Sequence, residues 1–162
     1  MGRKAAISTD HAEVAIMPPL LFVGALLGGA LLSYVMPIGP GLGSANRLAL
    51  TVGLIFVALG LALVALSVRR FRLAGTSVVP SEPSTALVVT GPYRFTRNPI
   101  YIGFVLAYFG FAIVLTSMWV LLLLIPVLAV LQRGVVLVEE AYLERKFGDA
   151  YRKYQARVPR WL

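Results

Sequence analysis

The sequence predicts an all-α integral membrane bundle of four transmembrane helices followed by a cytosolic C-terminal helix. Three observations predict it: long runs without charge, a composition too apolar for an ordinary soluble domain, and a one-sided distribution of Lys and Arg. Hydrophobic residues make up 59% of the 162-residue chain and charged residues 14%, with mean hydropathy +0.83. Soluble domains run at about 45–50% apolar and about 25% charged. Such a chain is not disordered, and its length suits a single membrane domain over 1–162.

The first two elements are the uncharged runs at about 16–36 and 48–68. As helices they are each roughly 30 Å long, the thickness of a bilayer's hydrocarbon core. A chain this short could hardly bury two such helices in a soluble core together with the apolar run that follows. That run, 99–131, is also uncharged and would be on the order of 50 Å long as one helix, too long for one span. Thr116-Ser117 supplies a polar break, so the run reads as a tight hairpin of spans at about 99–115 and 118–138. Pro126 falls inside the second arm, where membrane helices tolerate it better than soluble ones do. Gly24, Gly28 and Gly29 give the first span a small-x-x-x-small spacing suited to close helix packing.

Orientation follows from the cations. Arg3 and Lys4, the loop 69–98 and the segment from Arg133 onward hold all the Lys and Arg except Arg47. The positive-inside rule then places both termini in the cytoplasm, with multiple spans between. The first apolar run is too long for a cleavable signal, follows Asp10 and Glu13, and lacks a small-x-small site. Ala6 and Leu162 fit neither a myristoylation nor a prenylation signal.

Composition also limits the chemistry. Cys is absent and His11 is the sole histidine, so no metal site and no Ser-His-Asp triad is expected. The formal charge is +8, but interleaved Tyr151, Arg152, Lys153, Tyr154, Arg157, Arg160 and Trp161 directly after a span suit an amphipathic helix at a membrane surface, not nucleic acid.

The polar residues concentrate in two cytoplasmic segments. The loop 69–98 contains Pro80, Pro83 and Pro92 and a strand-like run at 86–90. It is long for a plain connection, a feature of functional loops. Its end, Gly91-Pro92-Tyr93-Arg94-Phe95-Thr96-Arg97-Asn98-Pro99, turns at Gly91-Pro92 and opens the third span at Pro99. Arg97 and Asn98 then sit at a helix N-terminus that favours an anion. Tyr101 offers a hydroxyl in the first turn, and Gly103 permits close approach of a ligand or another helix. Arg and Tyr are equally common as interfacial anchors.

The second segment, 139–162, begins Glu139-Glu140. At helical offsets of three and four, neither these nor Glu144 meets a cation on its own helix. They must face water, a loop arginine or a cationic ligand, whereas Asp149 has Arg145 and Lys153 four residues to either side. Adjacent residues diverge by about 100° on a helix. One of Glu139 and Glu140 is therefore expected to face a pocket, while the other holds Arg94 or Arg97. An ion pair that merely clamps loop to helix is the competing reading.

These segments resemble the isoprenylcysteine carboxyl methyltransferases and the related phospholipid methyltransferases. The resemblance is carried by Gly91-Pro92-Tyr93, by Arg97-Asn98-Pro99-Ile100-Tyr101-Ile102-Gly103, by Glu139-Glu140 and Leu143, by Phe147-Gly148 with Tyr151 and Tyr154, and by Val158-Pro159. It covers about 87–161, and the first two spans carry no motif. It implies a membrane enzyme that binds S-adenosylmethionine in a cytosol-facing pocket and methylates a lipophilic acceptor. Asn98, Pro99, Tyr101, Gly103, Glu139 and Glu140 would line the cofactor site, with Tyr93, Arg94 and Arg97 close to it. Arg97 and Glu140 are the candidates for a catalytic role. The departure is Asn98, where the family commonly has His: Asn donates and accepts but does not titrate near neutral pH. Methyl transfer from a sulfonium requires in-line approach and exclusion of water, and no metal.

Two other functions compete. A membrane reductase of the sterol-reductase type shares the C-terminal pattern and binds NADPH, and a transporter or other non-catalytic membrane protein needs no cofactor. Against a transporter, no span has a charge near its middle.

Overall fold

A computed structural model describes residues 11, 12, 14, 16–80 and 82–162. Arg3 and Lys4 of the charge asymmetry, the N-terminal residues weighed for lipidation, and Asp10 and Glu13 lie outside the described residues.

Among the described residues all regular structure is helical. Helix α1 spans Pro18–Val35 and α2 spans Arg47–Leu73. Proline within the first turn of α1 spares a backbone N–H that would lack a partner, and the Asn46 side chain caps α2 by accepting from the Ala49 N–H at 2.9 Å. Helix α3 covers Pro99–Leu115 and α4 covers Met118–Leu131. The polar break expected between them is real. Thr116 adopts φ 51°, and the Ser117 hydroxyl accepts from the Val120 N–H to cap α4.

Beyond α4 the helix continues through a π-helical stretch, Gln132–Val136, into α5, Leu137–Phe147. A short α6, Asp149–Gln155, follows Gly148. Among the described residues, three helical runs are long and apolar enough to cross a membrane: Pro18–Val35, Arg47–Leu73 and Met118–Phe147. Pro99–Leu115 is a shorter apolar helix. Leu20, Leu27 and Leu31 on α1 and Leu48 and Leu54 on α2 are largely exposed. At about 25 cal/mol per Å² this much bare apolar surface is unfavourable in water and suits lipid.

Packing pairs α2 with α3 and α1 with α4. The first pair approaches through glycines seven residues apart on each helix. A Cβ on Gly60 would lie 2.5 Å from the Gly103 carbonyl oxygen, and one on Gly110 would lie 2.6 Å from that of Gly53. Only hydrogen fits at these crossings, the packing expected of membrane helices. Gly103 thus admits another helix. In α1, Gly29 meets Val120, whereas Gly24 and Gly28 face open space. Phe22 packs its ring against Phe104 and Tyr108, joining α1 to α3 in a core that also holds Val120, Val127 and Leu131 of α4.

Three expectations are corrected. The run at 86–90 forms no strand; it is an irregular loop against the bundle end. The C-terminal segment is not one amphipathic helix, because α6 stops at Gln155 and the chain folds back over the start of α3. Asp149 pairs with Arg152 at 2.8 Å, three residues on, instead of with Arg145 or Lys153.

Candidate active site

The connection between α2 and α3, which begins after Leu73 and not at 69 as expected, ends in a turn that requires glycine. Gly91 has φ +65°, and a Cβ there would meet the Arg70 guanidinium at 2.5 Å. A 3-10 turn over Gly91–Arg94 follows and buries Tyr93 edge-on against Phe71 of α2. The chain then enters α3 with Asn98 at the N-cap position, its side chain making no capping bond.

The Asn98 amide instead donates to the Arg160 carbonyl oxygen at 2.9 Å, which the Thr96 hydroxyl also reaches at 3.0 Å. The Arg97 N–H donates to the Pro159 carbonyl oxygen, and the Tyr154 hydroxyl donates to the Tyr93 carbonyl oxygen at 2.8 Å. Four hydrogen bonds therefore strap the C-terminal segment across the head of α3.

That strap delivers Arg160 to Glu140. Its Nε and Nη2 donate to Oε1 and Oε2 of Glu140 at 2.9 and 2.7 Å. Arg97 Nη1 reaches the same Oε1 at 2.9 Å. One buried carboxylate thus joins the loop, α5 and the tail. The Arg97 side chain is 10% exposed, as is that of Glu140, so both depend on this pairing. Among the described residues, Arg97 Nε is buried without a partner. One helical position earlier, Glu139 accepts a hydrogen bond from the Tyr101 hydroxyl at 2.6 Å.

The two clusters border a single cavity with about 840 Å³ of empty volume, its open mouth included. Tyr93, Arg97, Asn98, Tyr101, Glu139 and Glu140 all line it. Both acids do so, although their positions on an ideal helix suggested that only one would. Arg94, Pro99 and Gly103 are not among the lining residues. Arg94 is exposed on another groove, Pro99 is fully buried in the fold, and Gly103 is spent on the contact with α2.

Sequence reasoning missed several walls of this cavity. Phe71, Val78, Val88 and Leu143 supply apolar surface, and Tyr142 and Tyr151 supply aromatic edges. The Tyr142 hydroxyl accepts from the Ser84 N–H at 3.0 Å, tying α5 to the loop. Arg160 was also missed as a partner of Glu140. A signal existed, since Glu140 lacked a cation on its own helix, but the fold-back that brings Arg160 close is a long-range event.

Burial holds the Tyr93 phenol well above the usual tyrosine range, with the Glu139 charge adding to the effect. Burial also raises Tyr154 and Tyr151. The cavity is therefore rimmed by neutral phenols, one carboxylate bound by two guanidiniums, and a second carboxylate held by a phenol.

Comparison with known proteins adds a lineage to this geometry. The family model PEMT, phospholipid methyltransferase, matches residues 48–150, more than half of the chain. The protein-S-isoprenylcysteine O-methyltransferase of Schizosaccharomyces pombe is 37% identical over 73 residues, covering 45% of this chain and 31% of that protein. Methanethiol S-methyltransferase 1 of Bradyrhizobium diazoefficiens is 36% identical over 87 residues, covering 54% and 28%. The chain thus spans less than a third of the length of these two curated relatives. No solved structure matches it.

Proposed function

The chain belongs to the phospholipid methyltransferase family, and from that premise we propose that it is a membrane-embedded, S-adenosylmethionine-dependent methyltransferase acting on a lipophilic acceptor. The acceptor class comprises a prenylcysteine carboxylate, a phospholipid amine or a comparable hydrophobic nucleophile. Four spans carry the site, with α3 and the α4–α5 run forming the second hairpin. Both termini, the cavity and the C-terminal helix face the cytoplasm, as the cation distribution requires.

The observation that carries this reading is the meeting of the two motif segments on one cavity, through Arg97–Glu140 at 2.9 Å and Tyr101–Glu139 at 2.6 Å. Residues around the cavity suit the cofactor. Glu139 offers an acceptor for an ammonium group, and the unpartnered Nε of Arg97 offers a donor for a carboxylate. Aromatic walls suit a purine and tolerate a sulfonium. When bound, the cofactor supplies an electrophilic methyl group.

The protein's own residues do the rest. Tyr101 fixes the rotamer of Glu139, and Glu140 fixes the plane of Arg97. Asn98 holds the tail that carries Arg160, so its first task is positional. Phe71, Val78, Val88 and Leu143 keep water from the reacting centre. The acceptor enters sideways from the bilayer, and Arg97 is the group best placed to orient an acidic headgroup on it.

The test is a calorimetric titration of the full chain in detergent with S-adenosylhomocysteine and, separately, with NADPH. Binding of the first and not the second is expected. Binding of NADPH alone would replace this reading with a sterol-reductase-type enzyme, and binding of neither would leave a non-catalytic membrane protein.

A further inference from the structure

Arg94 belongs to the motif segment but not to the cavity. It lines a second, shallower groove, about 1030 Å³ with the open solvent above it included, together with Leu87, Val89, Lys153, Arg157 and Val158. Three cations converge there and no acidic residue lines the groove. The other cations nearby are already matched: Arg97 and Arg160 pair with Glu140, and Arg152 pairs with Asp149 and Glu144. Among the described residues, Arg94, Lys153 and Arg157 form no ion pair. All three are exposed, so water and salt screen their mutual repulsion, and their shared field favours an anion from outside.

Position and shape narrow the class of that anion. Arg94 lies five residues before α3 enters its apolar run, and the adjoining Phe95 is 73% exposed. An exposed apolar ring beside an arginine at the mouth of a span suits the boundary between lipid headgroups and acyl chains. Arginine favours phosphate, which it can contact bidentately. The groove's other face, Leu87, Val89 and Val158, is apolar and suits the glycerol and first methylenes of a lipid better than a free ion. We propose that this groove binds the phosphodiester headgroup of an anionic membrane lipid, as a resident ligand separate from the methyl acceptor. Leu87 and Tyr154 line both the groove and the cavity, so a lipid seated there braces the cavity wall.

The experiment uses the full chain in an uncharged detergent and reads thermal stability against added phosphatidylglycerol, phosphatidylcholine or inorganic phosphate. Phosphatidylglycerol is expected to stabilise, and the other two are not. The triple variant R94Q/K153Q/R157Q should weaken the apparent affinity for phosphatidylglycerol about a hundredfold, given roughly fivefold per cation at a membrane surface. R69Q/R72Q/R145Q removes the same charge from exposed positions outside the groove and should retain most of the affinity. Equal loss in the two triples would reduce the effect to diffuse attraction and overturn the site, and so would stabilisation by inorganic phosphate alone. Should the first triple fail to fold, a photoreactive phosphatidylglycerol on the unaltered protein decides: crosslinks within 87–94 and 150–158 support the groove, and crosslinks elsewhere refute it. None of these readouts depends on methyl transfer.

Discussion

Replacing Glu140 with Gln removes one charge and little volume, and the structure gives the size of the effect. The carboxylate accepts from Arg97 Nη1, Arg160 Nε and Arg160 Nη2 at 2.7–2.9 Å. Glutamine retains one acceptor oxygen but leaves Arg97, 10% exposed at its side chain, as an uncompensated buried cation. Breaking a buried pair from one side costs about 3–5 kcal/mol. The retained oxygen argues for the lower end, about 3 kcal/mol. Arg160→Gln is the contrasting case. It leaves the Arg97–Glu140 pair in place, and Arg160 is 34% exposed, so its loss should cost only about 1 kcal/mol after solvent screening. Denaturant unfolding of both variants in the same detergent, followed by titration with S-adenosylhomocysteine, measures the difference. Glu140→Gln should be the less stable by about 2 kcal/mol and should also bind more weakly, because Arg97 loses its anchor. Equal costs for the two variants would refute the reasoning, for they would mean that the burial of Arg97 is not what makes the carboxylate necessary.

Four other outcomes follow from the same geometry. Tyr101→Phe removes the hydrogen bond to Glu139 and should weaken S-adenosylhomocysteine binding about tenfold in calorimetry, with the fold retained, since bonds to charged groups contribute about 1.5–3 kcal/mol. Gly60→Ala forces α2 away from α3 and should cost about 1–3 kcal/mol in unfolding experiments, whereas Gly28→Ala, facing open space, should be neutral or stabilising. Asn98→Ala should cost only about 1 kcal/mol, because Thr96 still donates to the Arg160 carbonyl oxygen; hydrogen exchange at the C-terminal segment should rise modestly. Finally, the neutral phenols of Tyr93 and Tyr154 are favoured by burial. Their raised values mean that the stability they carry is complete below the ordinary tyrosine range near pH 10 and is lost as pH rises beyond it. A spectrophotometric titration should find these two phenols ionising only as the alkaline transition unfolds the protein.

The helices were legible because uninterrupted apolar length is a one-dimensional property: a helix occupies each of the four apolar runs, and among the described residues three of the helical runs are long enough to cross a membrane. The exceptions are instructive. Helix α2 runs on to Leu73 because Arg69, Arg70 and Arg72 are exposed and arginine is a good helix former, so the charges end the apolar run without ending the helix. The loop at 86–90 is apolar and rich in β-branched residues like a strand, yet among the described residues it has no strand to pair with, and Ala86, Leu87 and Val88 serve as cavity wall. At the site, Tyr93, Arg97, Asn98, Tyr101, Glu139 and Glu140 could be named because polar groups at a membrane edge are few. Gly103 could not be assigned from spacing alone, since glycine serves helices and ligands by the same absence of a side chain. The tail was illegible for a different reason. Arg160 finds Glu140 because the Thr96 and Asn98 side chains and the Arg97 backbone N–H donate to the carbonyl oxygens of Arg160 and Pro159, and no local pattern encodes a return across that distance.

The π-helical stretch Gln132–Val136 has a bearing on how this chain can vary. Such a stretch behaves as one surplus residue lodged in an otherwise ordinary helix. Wound as a plain α-helix, the same residues would swing everything downstream by about 100°, carrying both acids off the cavity while every side chain keeps its identity. The widened turn at Gln132–Val136 is thus what sets the bearing of the two acids. A letter added or dropped between that turn and Glu139 would undo the bearing, where a change of spelling would not.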